Sequence, residues 1–420
     1  MLKTIWSQIW NERKSNVYLF VELLLISVIC WFCVDFLFVK GAIYWQPKGF
    51  DVSNCYSIKL GVVQSESTMY DKDAGEPSLE DLLKIIDRLK VHPDVEGLAV
   101  SDCSRFYRIT KFTSSYKSLK DTLIAGSVET KRVTPEFFKV FRVYGANGET
   151  PDEIAAYFET LPADAFLGTS RLIQSKAKDV SSLDINDFLN TVFYIRKEQR
   201  LTKLLTDIKD MEMDRQYSNS VFVPFLFKDL GSNFLSSEIS FRVKANRNNA
   251  FAEQIKQGLQ QDYRAGNIIV KQIESFESMQ DQMHLGIQRE SKNYFFGILF
   301  LLVNIVLGLL GIFWFRTQQR RCELALFMVV GASRIHIFLR LIVEGVLLLT
   351  LATLPAMALD YMIATNELTT LYQDTYLTPL RFAATVGITY LLMLVMIVVG
   401  IGIPAWRAMQ IEPAEALHEE

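Results

Sequence analysis

Residues 17–39 read VYLFVELLLISVICWFCVDFLFV, apolar almost throughout. As a helix this stretch covers about 30 Å at 1.5 Å per residue, the thickness of a bilayer's hydrocarbon core. It is too long for the apolar part of a secretory leader, holds Glu22 and Asp35, and lacks a small-x-small cleavage site, so it reads as a retained anchor. Three stretches of the same kind follow at residues 294–315, 341–361 and 382–403. Half of the 420 residues are hydrophobic, as a chain lying partly in lipid requires. The fold class that follows is an α-helical membrane protein with four transmembrane helices and a large extracytoplasmic α+β domain.

The orientation follows from arginine and lysine, which favour the cytoplasmic side. The N-terminal segment, residues 1–16, carries Lys3, Arg13 and Lys14. Residues 316–340 carry Arg316, Arg320, Arg321, Arg334 and Arg340 against one acid, Glu323. The short loop at residues 362–381 holds Glu367 and Asp374, with Arg381 only at its end. Both termini, including the tail at residues 404–420, are therefore expected in the cytoplasm, and residues 41–292 outside it. A net charge of −3 gives no sign of nucleic-acid binding, and five cysteines are too few for a disulfide scaffold.

The extracytoplasmic block of about 250 residues is large enough for a core of its own. Residues 57–63, SIKLGVV, have β-rich composition. SLEDLLKIIDRL, residues 78–89, places Leu79, Leu82, Leu83, Ile86 and Leu89 on one helical face with Ser78 as N-cap. A strand at residues 95–101 completes a β-α-β unit. RVTPEFFKVFRV, residues 132–143, has Pro135 in its first helical turn and Phe137 and Phe138 to bury. EISFRVKA, residues 238–245, alternates as a half-buried strand, and a helix at 250–262 with a strand at 267–273 closes a second β-α-β unit. The pattern predicts two subdomains, one built from both ends of the block and one from its middle. From residue 276 to 315 only glycines interrupt the helical pattern, which predicts a stalk helix at about 276–293 continuous with the second span.

Several chemistries are excluded. The four histidines, His92, His284, His336 and His418, have no metal-ligand spacing. There is no GxSxG motif, and the dipeptide Gly-Lys never occurs, so no Walker A loop exists. Cys30 and Cys33 have thioredoxin-like spacing but lie inside an apolar span, where packing accounts for them. Cys55 and Cys103 both fall in the extracytoplasmic block, where disulfides persist, and are candidates for a pair. Among acids in or near lipid, Asp35 and Glu344 lie toward span ends, where a carboxylate reaches water. Glu22 lies about one and a half turns inside the first span, on a different face from Asp35, so no acidic path is drawn.

RRCELALFMVVGASRIHIFLRLIVEG, residues 320–345, resembles the segment after the second span in MacB-type ABC transporter permeases, the family that includes FtsX and the LolC/LolE pair. The matching positions are Arg320 or Arg321, Glu323, Leu324, Ala325 (where the family often has glycine), Gly331, Ala332, Glu344 and Gly345. PAWRAMQIEPAEAL resembles the family ending through Pro404, Arg407, Ala408, Pro413, Glu415, Ala416 and Leu417. TPEFFKVFRV looks like an aromatic-rich strip of the family's outer domain.

The resemblance implies an inner-membrane, type VII permease that transmits mechanical motion and has no ATPase activity of its own. ATP and magnesium would bind a separate cytoplasmic ABC ATPase subunit, and this chain would hold no cofactor and no metal. A second permease copy or paralogue, a periplasmic adaptor and an outer-membrane channel are implied as further partners, with the lipid bilayer. The short helix at 320–330 is then expected to couple to the ATPase, with Leu324, Phe327 and Met328 entering a groove on it and the arginines near the headgroups. Gly331 would end that helix. The function implied is efflux of a hydrophobic or amphipathic peptide, toxic compound or lipoprotein from the periplasmic side. The alternative is an FtsX-like signalling permease that regulates a cell-wall hydrolase. A sensor kinase would need phospho-acceptor or kinase motifs, which the chain lacks.

Overall fold

A computed structural model of the chain describes residues 13–120, 124–174, 188–211, 214, 216–245, 251, 262–319, 326, 329–331, 333–366 and 377–409. In chain order the elements are α1 (Arg13–Tyr44), β1 (Cys55–Val62), α2 (Leu79–Lys90), β2 (Val95–Asp102), β3 (Thr113–Ser118), β4 (Ala125–Val133), α3 (Glu136–Val140), α4 (Pro151–Glu159), β5 (Ala165–Thr169) and α5 (Arg171–Gln174). They continue with β6 (Val192–Ile195), β7 (Lys197–Leu205), β8 (Ser220–Pro224), β9 (Glu238–Val243), β10 (Arg264–Ala265), β11 (Ile268–Ser275), α6 (Phe276–Gln319), α7 (Arg334–Thr365) and α8 (Pro379–Met409). The chain divides into two compact units, Met1–Tyr44 with Ile287–Glu420, and Trp45–Gly286.

The first unit holds four helices long and apolar enough to cross a membrane: Asn16–Tyr44, Gln288–Ile312, Arg334–Thr365 and Pro379–Arg407. Three of them overrun the announcing apolar stretch at both ends, and the second begins six residues before its stretch at 294–315, inside the longer α6. Leu23 and Ile26 of α1, Ile305 and Leu309 of α6, Leu348 and Ala352 of α7, and Met393 and Ile397 of α8 form their common core. The stalk expectation corresponds to α6, one helix of 44 residues that contains residues of both units.

The second unit is built on one eleven-stranded sheet, in the order β10-β11-β1-β9-β2-β4-β3-β6-β7-β5-β8. β1 lies between β11 and β9 and is antiparallel to both, while β9 is antiparallel to β2. The strands of each expected β-α-β unit are therefore not neighbours. β1 and β2 flank β9, and β9 and β11 flank β1, the interleaving of a ferredoxin-like split β-α-β pair. The helix expected at 250–262 falls mostly outside the described residues, though Phe251 is helical and buried.

Helix α2 begins as the sequence predicts, with the Ser78 hydroxyl accepting the Asp81 amide hydrogen. Its buried stripe is Leu82, Ile85, Ile86 and Leu89. Ile85 takes the place expected for Leu83, which lies 100° round the helix from Leu82 and is exposed.

The chain between β2 and β9 supplies β3 to β8. Within it β4 pairs with both β3 and β8, so β4-β3-β6-β7-β5-β8 close on themselves. This closed set joins the open end through β2 and β4, at Ser101↔Val133 and Asp102↔Arg132. Strand β9 is buried along its whole length rather than on one face. It is a central strand, and Arg242 on its polar side is satisfied by the carbonyls of Val140, Ser53 and Asp51 at 2.7, 2.7 and 2.6 Å.

Candidate functional site

The helical unit carries buried charge. α1 places Asp35 and the first turn of α8 places Arg381, whose amide hydrogen goes to the Thr378 hydroxyl at 3.2 Å. The Arg381 guanidinium grips Asp35 with two arms, Nε to Oδ1 at 2.9 Å and Nη2 to Oδ2. Asp35 is wholly buried. It does not reach water, as its place near the span end had suggested, because Arg381 meets it inside the bundle.

The indole N–H of Trp31 donates to the Thr385 hydroxyl at 3.0 Å, and that hydroxyl donates to the Arg381 carbonyl, also at 3.0 Å. Asp360 of α7 is buried within electrostatic reach of Asp35, and one of its carboxyl oxygens has no hydrogen-bond partner. Such groups in a membrane helix are functional candidates by default. Glu344, expected near water, is buried too. Glu22 is half-buried beside Gly308, where an added Cβ would lie 2.6 Å from its carboxylate oxygen.

Of the residues expected to couple to an ATPase, Arg320, Arg321, Glu323, Leu324, Ala325, Phe327, Met328 and Ala332 lie outside the described residues. Gly331 is described, with φ +103° in the left-handed region, just after a turn in which the Val330 amide bonds the Leu326 carbonyl at 3.0 Å. The matched pair Glu344 and Gly345 falls where α7 crosses α8. A Cβ on Gly345 would meet Ile401 at 2.2 Å and Ile397 at 3.1 Å. Pro404, Arg407 and Ala408 lie in the last turns of α8, and the Arg407 guanidinium rests 4.5 Å from the Trp314 ring centroid, joining the ends of α8 and α6. Pro413, Glu415, Ala416 and Leu417 lie outside the described residues.

The sheet unit contains charge clusters that the sequence reading passed over. Lys131, fully buried, binds Glu129 at 2.8 Å and Asp210 at 2.7 Å, and Asp210 also pairs with Lys111 and Ser218. Burial opposes charge on Lys131, but the Asp210 and Glu129 carboxylates outweigh it and hold the ammonium above its usual range. Burial would raise Asp210, yet the Lys131 and Lys111 ammoniums hold its carboxyl well below the usual range. Glu129 goes the other way, because burial and the neighbouring Asp210 prevail over Lys131. The only hint in the sequence is Glu129 and Lys131 at i and i+2, on one face of a strand.

Glu238, at the start of β9, accepts the amide hydrogens of Ser104 and Arg105 at 2.8 and 2.9 Å and pairs with Arg108. It fastens the chain where it leaves the open end of the sheet to where it returns.

The candidate disulfide does not form: Cys55 and Cys103 are both free buried thiols. Cys55 points to the Val140 carbonyl at 3.3 Å and Cys103 to the Thr110 carbonyl at 3.4 Å, so each has its own separate partner. Burial pushes the Cys55 thiol up to about 12, which makes it inert. No group of metal-ligating side chains occurs among the described residues.

Four long apolar helices with a large sheet domain define a class, multi-pass membrane proteins with an extramembrane body. Against known families, residues 294–413 match the FtsX-like permease C-terminal family. No curated protein matches the chain. The family match supports an ABC transporter permease, a non-catalytic transporter subunit of the inner membrane. Permeases of this kind work with an ABC ATPase, commonly as dimers.

Proposed function

We propose that this chain is the permease subunit of an ABC transporter that couples hydrolysis by a separate ATPase to movement of its own outer domain. On this reading it extrudes a hydrophobic or amphipathic substrate from the periplasmic side. The match over residues 294–413 carries the proposal. Three further features support it. No Walker A loop exists in the chain. The second span and the segment before it are one unbroken helix. The sheet unit is large, with an open and a closed end that would act as two lobes.

Coupling is assigned to the segment from residue 320 to 330, of which Leu326, Val329 and Val330 are described and the rest is not. Glu323 is its only acid among arginines. It would pair with a basic group on the ATPase, or brace Arg320 one turn earlier. An exposed pair contributes about 0.2–1 kcal/mol, whereas breaking one in a desolvated interface costs about 2–5 kcal/mol.

The test is reconstitution with the ATP-binding-cassette subunit that co-purifies with the chain from native membranes. The pure chain should show no ATP turnover, and the complex should. Glu323→Lys should insert normally, since the added positive charge agrees with the cytoplasmic side, and should abolish stimulation of the ATPase. Turnover by the pure chain, or a Glu323→Lys complex that works as well as wild type, overturns the assignment. Co-purification of a cell-wall hydrolase without substrate efflux would favour the signalling alternative.

A further inference from the structure

Helix α7 carries Ala356, Asp360 and Ala364 at four-residue spacing, and all three are buried. Residues so spaced share one face of a helix. Ala364 packs with Trp31 and Phe36 of α1, and Phe382 of α8 lies against the same group. Tyr361 meets Phe382 edge to face, with ring centroids 5.7 Å apart. Asp360 therefore sits on the face of α7 that α1 and α8 close, one turn before this aromatic cluster.

At that end of the bundle two carboxylates, Asp35 and Asp360, are buried with one guanidinium, Arg381. The guanidinium is committed to Asp35, which it grips with two arms. Asp360 is only 2% exposed, and its Oδ1 has no hydrogen-bond partner. The charge that reaches it is that of Asp35, of its own sign. The other titratable groups on the helices around it are engaged elsewhere. Tyr294 of α6 stacks on Phe36 at 3.8 Å, and Lys40 of α1 lies 5.4 Å from the centroid of that ring. Cys30 and Cys33 of α1 belong to the main core of the bundle.

A buried carboxylate in this setting is far more costly than a neutral carboxyl of the same shape. A divalent metal ion does not meet the need, because it takes about six oxygens. Both oxygens of Asp35 are already held by Arg381, and no group of metal-ligating side chains occurs among the described residues. A proton needs one oxygen, and Asp360 offers one.

We propose that Asp360 is a proton-binding site that latches α7 to α1. With the proton in place, no second charge faces Asp35 and the helices close as the structure shows. Release of the proton to water leaves a carboxylate opposite Asp35, and two like charges in a poorly screened place push the helices apart. The inference stands apart from the export reading, since neither ATP nor a substrate nor a partner enters its test.

Infrared spectra of the full chain in phosphatidylcholine nanodiscs are recorded across pH for wild type and Asp360→Asn. At about pH 7, where an ordinary aspartate is ionised, wild type should show the carbonyl stretch of a protonated carboxyl. Asp360→Asn should lack that band, which separates it from any band of Glu22 or Glu344. The thermal midpoints of the same samples test the latch. Asparagine keeps the shape of the protonated group, so the two midpoints should agree while the band persists. As rising pH removes the band, wild type should fall below the variant. The proposal fails if wild type has no such band, if Asp360→Asn retains it, if the variant melts well below wild type while the band persists, or if the midpoints stay together after it has gone.

Discussion

Arg381→Gln leaves Asp35 buried without its cation. Removing one partner of a buried pair costs about 3–5 kcal/mol, more than most helix-bundle contacts supply. The double variant Asp35→Asn with Arg381→Gln should regain much of that loss, since no buried charge is then stranded. Thermal unfolding in detergent micelles checks this, and equal losses in single and double variants would show the two residues to be uncoupled.

In the sheet unit the corresponding case is Asp210, whose carboxyl its two lysines hold low in the folded state. A group of that kind stabilises fully above its unfolded value of about 3.9 and loses the contribution as pH falls through the lowered folded value. Glu129, held high, has the opposite sign and acts at higher pH. Stability of the sheet unit should therefore fall on acidification below about pH 4. Asp210→Asn should start less stable and show a flatter fall, measured as denaturant midpoints across pH. Neither cluster was legible in the sequence. Asp35 and Arg381 are 346 positions apart, and each alone looks like a charge at a span end.

Among the elements, the crossing of α7 and α8 is the closest approach the helices make at a glycine of matched sequence. The nearest obstacle to a side chain at Gly345 is the tip of Ile401, which can turn aside. Gly345→Ala should therefore be tolerated, while Gly345→Leu should cost about 1–3 kcal/mol by overpacking and loosen the bundle. Unfolding of the two variants in micelles separates the cases, and equal midpoints would mean that the helices do not meet there. The helices themselves were readable because each is a long apolar run, which Pro355 in α7 and Pro404 in α8 do not end, and α6 because nothing polar in it ends a helix. Of the strands, β1, β2, β9 and β11 were readable as strands but not as partners, since alternation fixes a face and not a neighbour, while β3 to β8 and β10 were not read at all. β9 misled for a specific reason. Ser240 and Arg242 look solvent-facing in the sequence, yet they are buried, and Arg242 is satisfied by three backbone carbonyls.

At the scale of the whole molecule, the boundary of the sheet unit lies further along the chain than the strand pattern alone suggests. Phe276 and Met279, in the first turns of α6, are buried in its aromatic core beside Tyr107 and Phe141. A fragment spanning Trp45–Gly286 should fold alone, with dispersed amide proton resonances. One ending at Glu274 should be less stable by about 3–5 kcal/mol, the cost of emptying a buried phenylalanine site. Equal stability of the two would place the boundary before α6.

The interleaved strand order also sets a timetable for synthesis. Tyr56 of β1 pairs with Phe241 on one side and Ser275 on the other. Both partners leave the ribosome long after it does, by roughly 10–40 s at ordinary translation speeds. For that interval β1 has two open edges and no neighbour, the state most exposed to aggregation. The closed set from β3 to β8 needs only residues made before β9, so its pairing does not have to wait for the partners of β1. The open end is completed only with β11, the last strand before α6, so the newborn domain is finished just as its second membrane helix is being made.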